Sequence, residues 1–262
     1  MEPVRKPLVA DDDDFQSGYS YPSTSRMNGL LVLLGVVEAL GVAAIAMVCY
    51  WTAHYRGGFA WDGSGQQFNW HPVLMVVGLV FLYGNGILTY RVFRDQVKFG
   101  VKVLHAVLQV TALIFAIVAL VATFDFHNAN GIANMYSLHS WVGLTVVILF
   151  ALQWVLGLST YMLPFASRWI RTLFMPYHRF LGLAIFALAI ATCLTGLTEK
   201  LLFSIGPGGA DTYSKFAPEG ILVNCLGLTL VLFGVFVGFI ATKEEWKRQP
   251  LPEEQPINMS IE

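Results

Sequence analysis

VKVLHAVLQVTALIFAIVALVATF, residues 101–124, decides the fold class. After Lys102 this stretch carries no charged side chain, and its apolar run reaches the roughly 20 residues that span a hydrocarbon core about 30 Å thick. A single histidine, His105, stands near its start. Five further stretches read the same way, so the spans are expected at 28–51, 71–90, 101–123, 138–163, 177–198 and 220–242. The composition agrees. Of 262 residues, 56% are hydrophobic and 13% charged, where a soluble domain carries about 25% charged residues, and the mean hydropathy is +0.60. The expected class is an all-α membrane protein of six transmembrane helices, in which spans two to five form a central four-helix bundle. The first 27 residues hold the acidic run Asp11 to Asp14 and no apolar core, so they read as a solvated tail, and the Glu- and Pro-rich residues 243–262 read as another.

Thirteen of the sixteen Lys and Arg residues fall in the two tails, or in or at the edge of the gaps between spans two and three and between spans four and five. Arg56, Lys200 and Lys215 alone lie on the other side. By the positive-inside rule both termini are cytoplasmic. The net charge of -1 reflects sorting rather than scarcity of charge, and no basic, aromatic-interleaved patch of the kind that binds nucleic acid occurs. Cys49, Cys193 and Cys225 sit in or at the end of separate apolar spans, with no CxxC or CxxCH spacing. They read as small packing residues, and covalently attached haem has no support.

The histidines carry the chemistry. His71, His105, His139 and His178 stand at the N-terminal ends of spans two to five, separated by 34, 34 and 39 residues. Neighbouring spans run antiparallel, so His71 and His139 share the outer half of the membrane and His105 and His178 the cytoplasmic half. Each pair comes from non-adjacent helices of the bundle, the geometry for axial ligation of a flat macrocycle. At 1.5 Å per residue the two pairs are expected about 15–20 Å apart along the membrane normal. Gly143 and Gly182 lie four residues after His139 and His178, and Gly78 seven after His71. They share those helix faces, either for close approach of a porphyrin or for helix packing. Pro72 and Pro176 read as helix-start prolines. A proton or metal-ion pathway along the histidines is the alternative, and a haem-binding anchor subunit is another. The acidic partners a relay needs are scarce inside the spans; Glu38 is the clearest, and its role is open.

GGFAWDGS (57–64), FNWHPVLM (68–75), KVLHAVL (102–108), ANMYSLHSWVG (133–143), PYH (176–178), GLTEKLLFS (196–204) and FAPEG (216–220) together resemble the cytochrome b561 family, the transmembrane ascorbate-dependent oxidoreductases. The resemblance runs from about residue 50 to 248 and is nearest to the animal group containing the duodenal ferric reductase and the lysosomal form. It implies two non-covalent b haems, the outer held by His71 and His139 and the inner by His105 and His178. It implies cytoplasmic ascorbate as donor and either monodehydroascorbate or ferric iron, as a chelate, as acceptor beyond the membrane. Lys98, Lys102 and Arg171 match the family's cytoplasmic ascorbate positions, although positive-inside topology alone would also put cations there. Arg91 and Lys247 are candidates to neutralise haem propionates. Asn134, Tyr136 and Glu199 are expected near the outer haem. His127, in the loop before span four, and Glu219, in the loop before span six, match positions that present ferric iron, with His54 a further outer candidate. The resemblance also implies a homodimer embedded in membrane lipid. Plasma membrane, endosome or lysosome, and secretory vesicle all fit this topology. Glu2 to Val9 loosely resembles an acidic leucine-type sorting signal. Asn258-Met259-Ser260 has the glycosylation pattern but lies on the cytoplasmic side.

Overall fold

The computed structural model describes residues 24–164, 166–206 and 212–251. The Asp11 to Asp14 run, Arg5, Lys6, the Glu2 to Val9 segment and Asn258 lie outside the described residues. Among the described residues six helices are long and apolar enough to cross a membrane. They are α1 (Thr24–Tyr50, continued by a π turn over Trp51–Tyr55), α2 (Gly65–Val92), α3 (Lys98–Ala129), α4 (Leu138–Gly157, continued by a π turn over Leu158–Met162), α5 (Arg168–Ile205) and α6 (Pro218–Thr242). All six expected spans are present.

The apolar sequence explains both surfaces. Inside, Ala112, Ala116, Ala119 and Ala122 recur along α3 at helical spacing and are buried, which lets α2 lie close against α3. Gly78 of α2 serves this contact: a Cβ there would meet Ala112 O at 3.1 Å and Phe115 Cβ at 3.0 Å. It is a helix-packing glycine, one of the two roles its spacing allowed. A π segment over Val76–Leu82 widens α2 where it passes α3. Outside, large apolar residues such as Ile114, Leu152, Leu228 and Val235 are exposed on the outward faces. Such a belt is unstable in water and at home in hydrocarbon. The chain is an integral membrane protein.

α2 to α5 carry His71, His105, His139 and His178 in turn and enclose them. α1 and α6 pack on each other and flank α2. The α1–α6 contact ends in a buried cluster: Glu219 pairs with Arg56, and Trp51 Nε1 donates to Glu219 Oε1 at 2.7 Å. Removing one partner of such a pair strands the other without compensation. Glu219→Ala is therefore expected to destabilise the protein by about 3 kcal/mol, read as a lower Tm of the detergent-purified protein; an unchanged Tm would count against the pair. Glu38 of α1 hydrogen-bonds Asn85 of α2, and Asn85 Nδ2 donates to Phe81 O, so this intramembrane carboxylate joins α1 to the bundle.

Two expectations change. Pro176 is not at a helix start but lies inside α5, which begins at Arg168. At 38 residues, α5 is about 57 Å long, so its first turns extend past the hydrocarbon and carry polar residues that hydropathy does not count. The C-terminal tail is not wholly solvated either. Trp246 is buried, with its ring edge-on to Phe239 at 5.8 Å, and Arg248 Nη2 donates to Gln96 O at 2.8 Å.

Candidate functional site

In the half of the bundle where α2 and α4 begin, here the upper half, His71 and His139 face each other with ring centres 6.1 Å apart and planes crossing at 86°. In the lower half His105 and His178 stand 6.2 Å apart at 71°. Two metal–imidazole bonds of about 2.0 Å each, plus the part of each ring beyond its nitrogen, span roughly 6 Å between ring centres. Each pair thus has room for one metal atom between its rings.

The other ring nitrogen is tied back. His105 Nδ1 lies 2.7 Å from Gly86 O, His139 Nδ1 2.9 Å from Thr192 O, and His71 Nδ1 3.3 Å from Ala119 O. A carbonyl oxygen only accepts, so in each case Nδ1 carries the proton and Nε2 keeps its lone pair. This fixes tautomer and ring orientation in the way that outer-shell partners do for ligating imidazoles. Ser137 helps to set His139: its hydroxyl and that of Ser140 form a reciprocal capping box at the start of α4. His178 is held by its backbone, with Gln153 Nε2 donating to its carbonyl at 2.7 Å.

Among the described residues no group of three or more His, Cys, Asp or Glu gathers at either pair. Two imidazoles are too few for a bare transition-metal ion, which takes about four protein or water donors. They suit a macrocycle that brings its own equatorial nitrogens. The upper pair opens into a cavity of about 510 Å³ whose walls are largely apolar, as such a group requires.

Glycines make the approach possible. Gly143 lines the upper cavity, and a Cβ on it would also meet Thr192 Cγ2 of α5 at 3.1 Å, so its position serves both of its readings. Three others were not singled out by spacing. A Cβ on Gly196 would meet His139 Cε1 at 2.5 Å, one on Gly157 would meet His178 Cε1 at 3.1 Å, and Gly86 supplies the carbonyl that holds His105. These glycines lie on helices other than the one carrying the histidine they serve, so no spacing within one span reveals them. Gly196→Val is expected to push the His139 ring out of place and to lower the content of any haem held between His71 and His139, with the lower pair intact. Absorbance of haem extracted from the purified variant checks this, and full haem content would refute it.

The remaining candidates divide. His127, Asn134, Tyr136 and Glu199 all line the upper cavity. His127 belongs to the last turn of α3 rather than a loop, and its Nδ1 lies 3.2 Å from Asn134 Oδ1. Glu199 accepts a hydrogen bond from Tyr136, and burial, followed by that carboxylate, raises the Tyr136 phenol above its usual range. Glu219 does not reach the cavity. It lies in the first turn of α6, buried, with both oxygens engaged by Trp51 and Arg56. His54 is also outside, exposed and stacked on Tyr50 at 5.0 Å.

At the lower end Lys98, Lys102 and Arg171 come together in a groove of about 870 Å³ with Arg168 and Arg179, and none of its lining residues is acidic. Lys102 Nζ donates to Tyr161 O at 3.2 Å, and the Tyr161 ring lies 5.4 Å from that of His178, so the groove abuts the lower pair. Arg91 and Lys247 do not line it. Arg91 is buried and donates to Ala241 O at 2.6 Å and Lys243 O at 2.9 Å, where it caps α6. Lys247 Nζ pairs with Glu244 at 3.3 Å.

The Eukaryotic cytochrome b561 family matches residues 70–204, a segment that contains all four paired histidines. The chain belongs to the cytochrome b561 family. Its sequence is 47% identical over 224 residues to the human transmembrane ascorbate-dependent reductase CYB561, covering 86% of this chain and 87% of the human protein. It is 51% identical over 222 residues to the plasma membrane ascorbate-dependent reductase CYBRD1 of Xenopus laevis, covering 84% of this chain and 76% of that one. The bovine CYB561 reductase is 47% identical over 224 residues. In a cytochrome b561 the paired imidazoles have an evident occupant, b-type haem, and the residues present fit it.

Proposed function

We propose that this cytochrome b561 is an ascorbate-dependent transmembrane oxidoreductase that moves single electrons from cytoplasmic ascorbate to an acceptor on the opposite face. The observation that carries the reading is the pair of opposed imidazole couples, 6.1 and 6.2 Å apart, at opposite ends of one bundle. We assign two non-covalent b haems, one to His71 and His139 and one to His105 and His178. Each haem, when bound, supplies a one-electron carrier whose potential is tuned by its axial imidazoles, its burial and nearby charge.

The chain's own residues do the rest. The five cations of the lower groove draw in the ascorbate anion and hold it beside Tyr161 and His178. The apolar walls around the upper pair exclude water. His127, Asn134 and Tyr136 offer hydrogen bonds to an acceptor, either monodehydroascorbate or chelated ferric iron. Cation sorting supports a cytoplasmic groove and cytoplasmic termini.

The test is purified protein in liposomes. Two b haems per chain, reduced by ascorbate added on the groove side and reoxidised by a ferric chelate on the other, support the reading. Protein prepared with ample haem that binds none would remove it. Flux of metal ions without any electron donor would favour the transporter alternative.

A further inference from the structure

The upper cavity holds a cation that the steps above do not use. Lys200, near the end of α5, lines that cavity and is half-buried, with Nζ 4.2 Å over the centre of the Phe68 ring. Among the described residues no carboxylate lies within ion-pair distance of it. Its neighbour Glu199 is engaged by Tyr136. The other carboxylate in its neighbourhood is Glu219, with Arg56 beside that. Glu219, however, is held on both oxygens, by Arg56 and by Trp51 Nε1, and Trp51 is itself part of the cavity wall. A desolvated ammonium whose chief partner is an aromatic face lacks a counter-ion, and an anion entering the cavity would supply one. A bare metal cation would meet the repulsion of Lys200 and find Glu219 already occupied.

We propose that Lys200 is the contact through which the upper cavity takes its acceptor as a small organic anion, and that Arg56 is the positioning residue that keeps Lys200 available by occupying Glu219. The recognised chemistry is a carboxylate or enolate. A monodehydroascorbate anion carries it, and so does ferric iron wrapped in a carboxylate chelator; the propionates of the bound haem carry it too. The inference rests on the reading of the cavity as the point where electrons leave.

The experiment uses haem-loaded protein in liposomes, with ascorbate on the groove side and one of two acceptors on the other: ferric citrate, an anion, or hexaammineruthenium(III), a cation. Lys200→Met is expected to raise the KM for ferric citrate by roughly ten- to a hundredfold, the effect of losing a charged hydrogen bond. It should leave kcat and the haem spectrum unchanged and should not raise the KM for the ruthenium complex. Lys200→Arg should restore the low KM. Arg56→Gln should also raise the KM for ferric citrate, because Glu219 is then free to pair with Lys200, and Arg56→Gln combined with Glu219→Gln should bring it back. An equal change for both acceptors, or no change for ferric citrate, would overturn the proposal. Loss of haem or a shifted haem potential in Lys200→Met would assign the charge to a propionate and overturn it as well. Wild-type protein that reduces neither acceptor would instead sink the electron-transfer reading, and this one with it.

Discussion

Replacing His105 by alanine is expected to remove one of the two proposed haems and to end reduction by ascorbate while the upper site stays loaded. His105 has two tasks. Its Nδ1–H donates to Gly86 O at 2.7 Å, which locks α3 against α2, and its Nε2 faces His178 across 6.2 Å. Alanine loses both, and among the described residues no third His, Cys, Asp or Glu joins His105 and His178 to take its place. The cost should exceed the roughly 10- to 100-fold that loss of an outer-shell partner brings at metal sites. His139→Ala gives the complementary result. The lower site keeps its pair beside the cationic groove, so ascorbate still reduces it, but passage to the far acceptor stops. Stopped-flow haem reduction on the two variants reads the difference directly. If both variants lost ascorbate reduction equally, the two pairs would not act in sequence; if neither lost haem, the imidazoles would not be ligands.

Much of this arrangement is legible in the sequence because one physical quantity writes it. Hydrocarbon enforces apolar runs of fixed length, and alternation of those runs assigns each histidine to a leaflet. That alone pairs His71 with His139 and His105 with His178. The same quantity misleads at the edges. Hydropathy follows the lipid, whereas backbone hydrogen bonding continues beyond it. α5 thus starts at Arg168, ahead of the expected 177, and α3 runs on to Ala129, which turns the supposed loop residue His127 into helix. What the sequence does not display is the rotation of one helix against another. Gly196 under His139, and Arg168 and Arg179 beside Lys102, depend on which face a neighbouring helix presents. Glu219 shows the same limit. Placed in the loop before span six it reads as an outer-face acid that presents ferric iron, but it lies in the first turn of α6, and the packing of α1 on α6 buries it against Arg56 and Trp51.

Reversing charge in the lower groove is expected to have the other large effect. Lys102→Glu combined with Arg171→Glu changes the groove from five cations to three cations and two anions, a swing of four charges around an anionic substrate. Each close pair at an effective dielectric near 20 is worth on the order of 1 kcal/mol or more. The KM for ascorbate should therefore rise by roughly a hundredfold or more, since every 1.4 kcal/mol is tenfold in affinity. Two controls separate this from damage to the fold. The haem spectrum should stay that of wild type, because neither side chain is among the paired imidazoles. An uncharged one-electron donor of similar potential should reduce the variant about as fast as wild type, because nothing in its binding depends on the reversed charges. Salt gives an independent sign. Reversal takes the groove from a net charge of +5 to +1, and screening weakens whatever attraction is left, so raising ionic strength should raise the KM for ascorbate steeply in the wild type and much less in the variant. A KM that responds to salt equally steeply in both proteins would mean that these cations do not meet the donor, and that their gathering beside His178 reflects membrane topology alone.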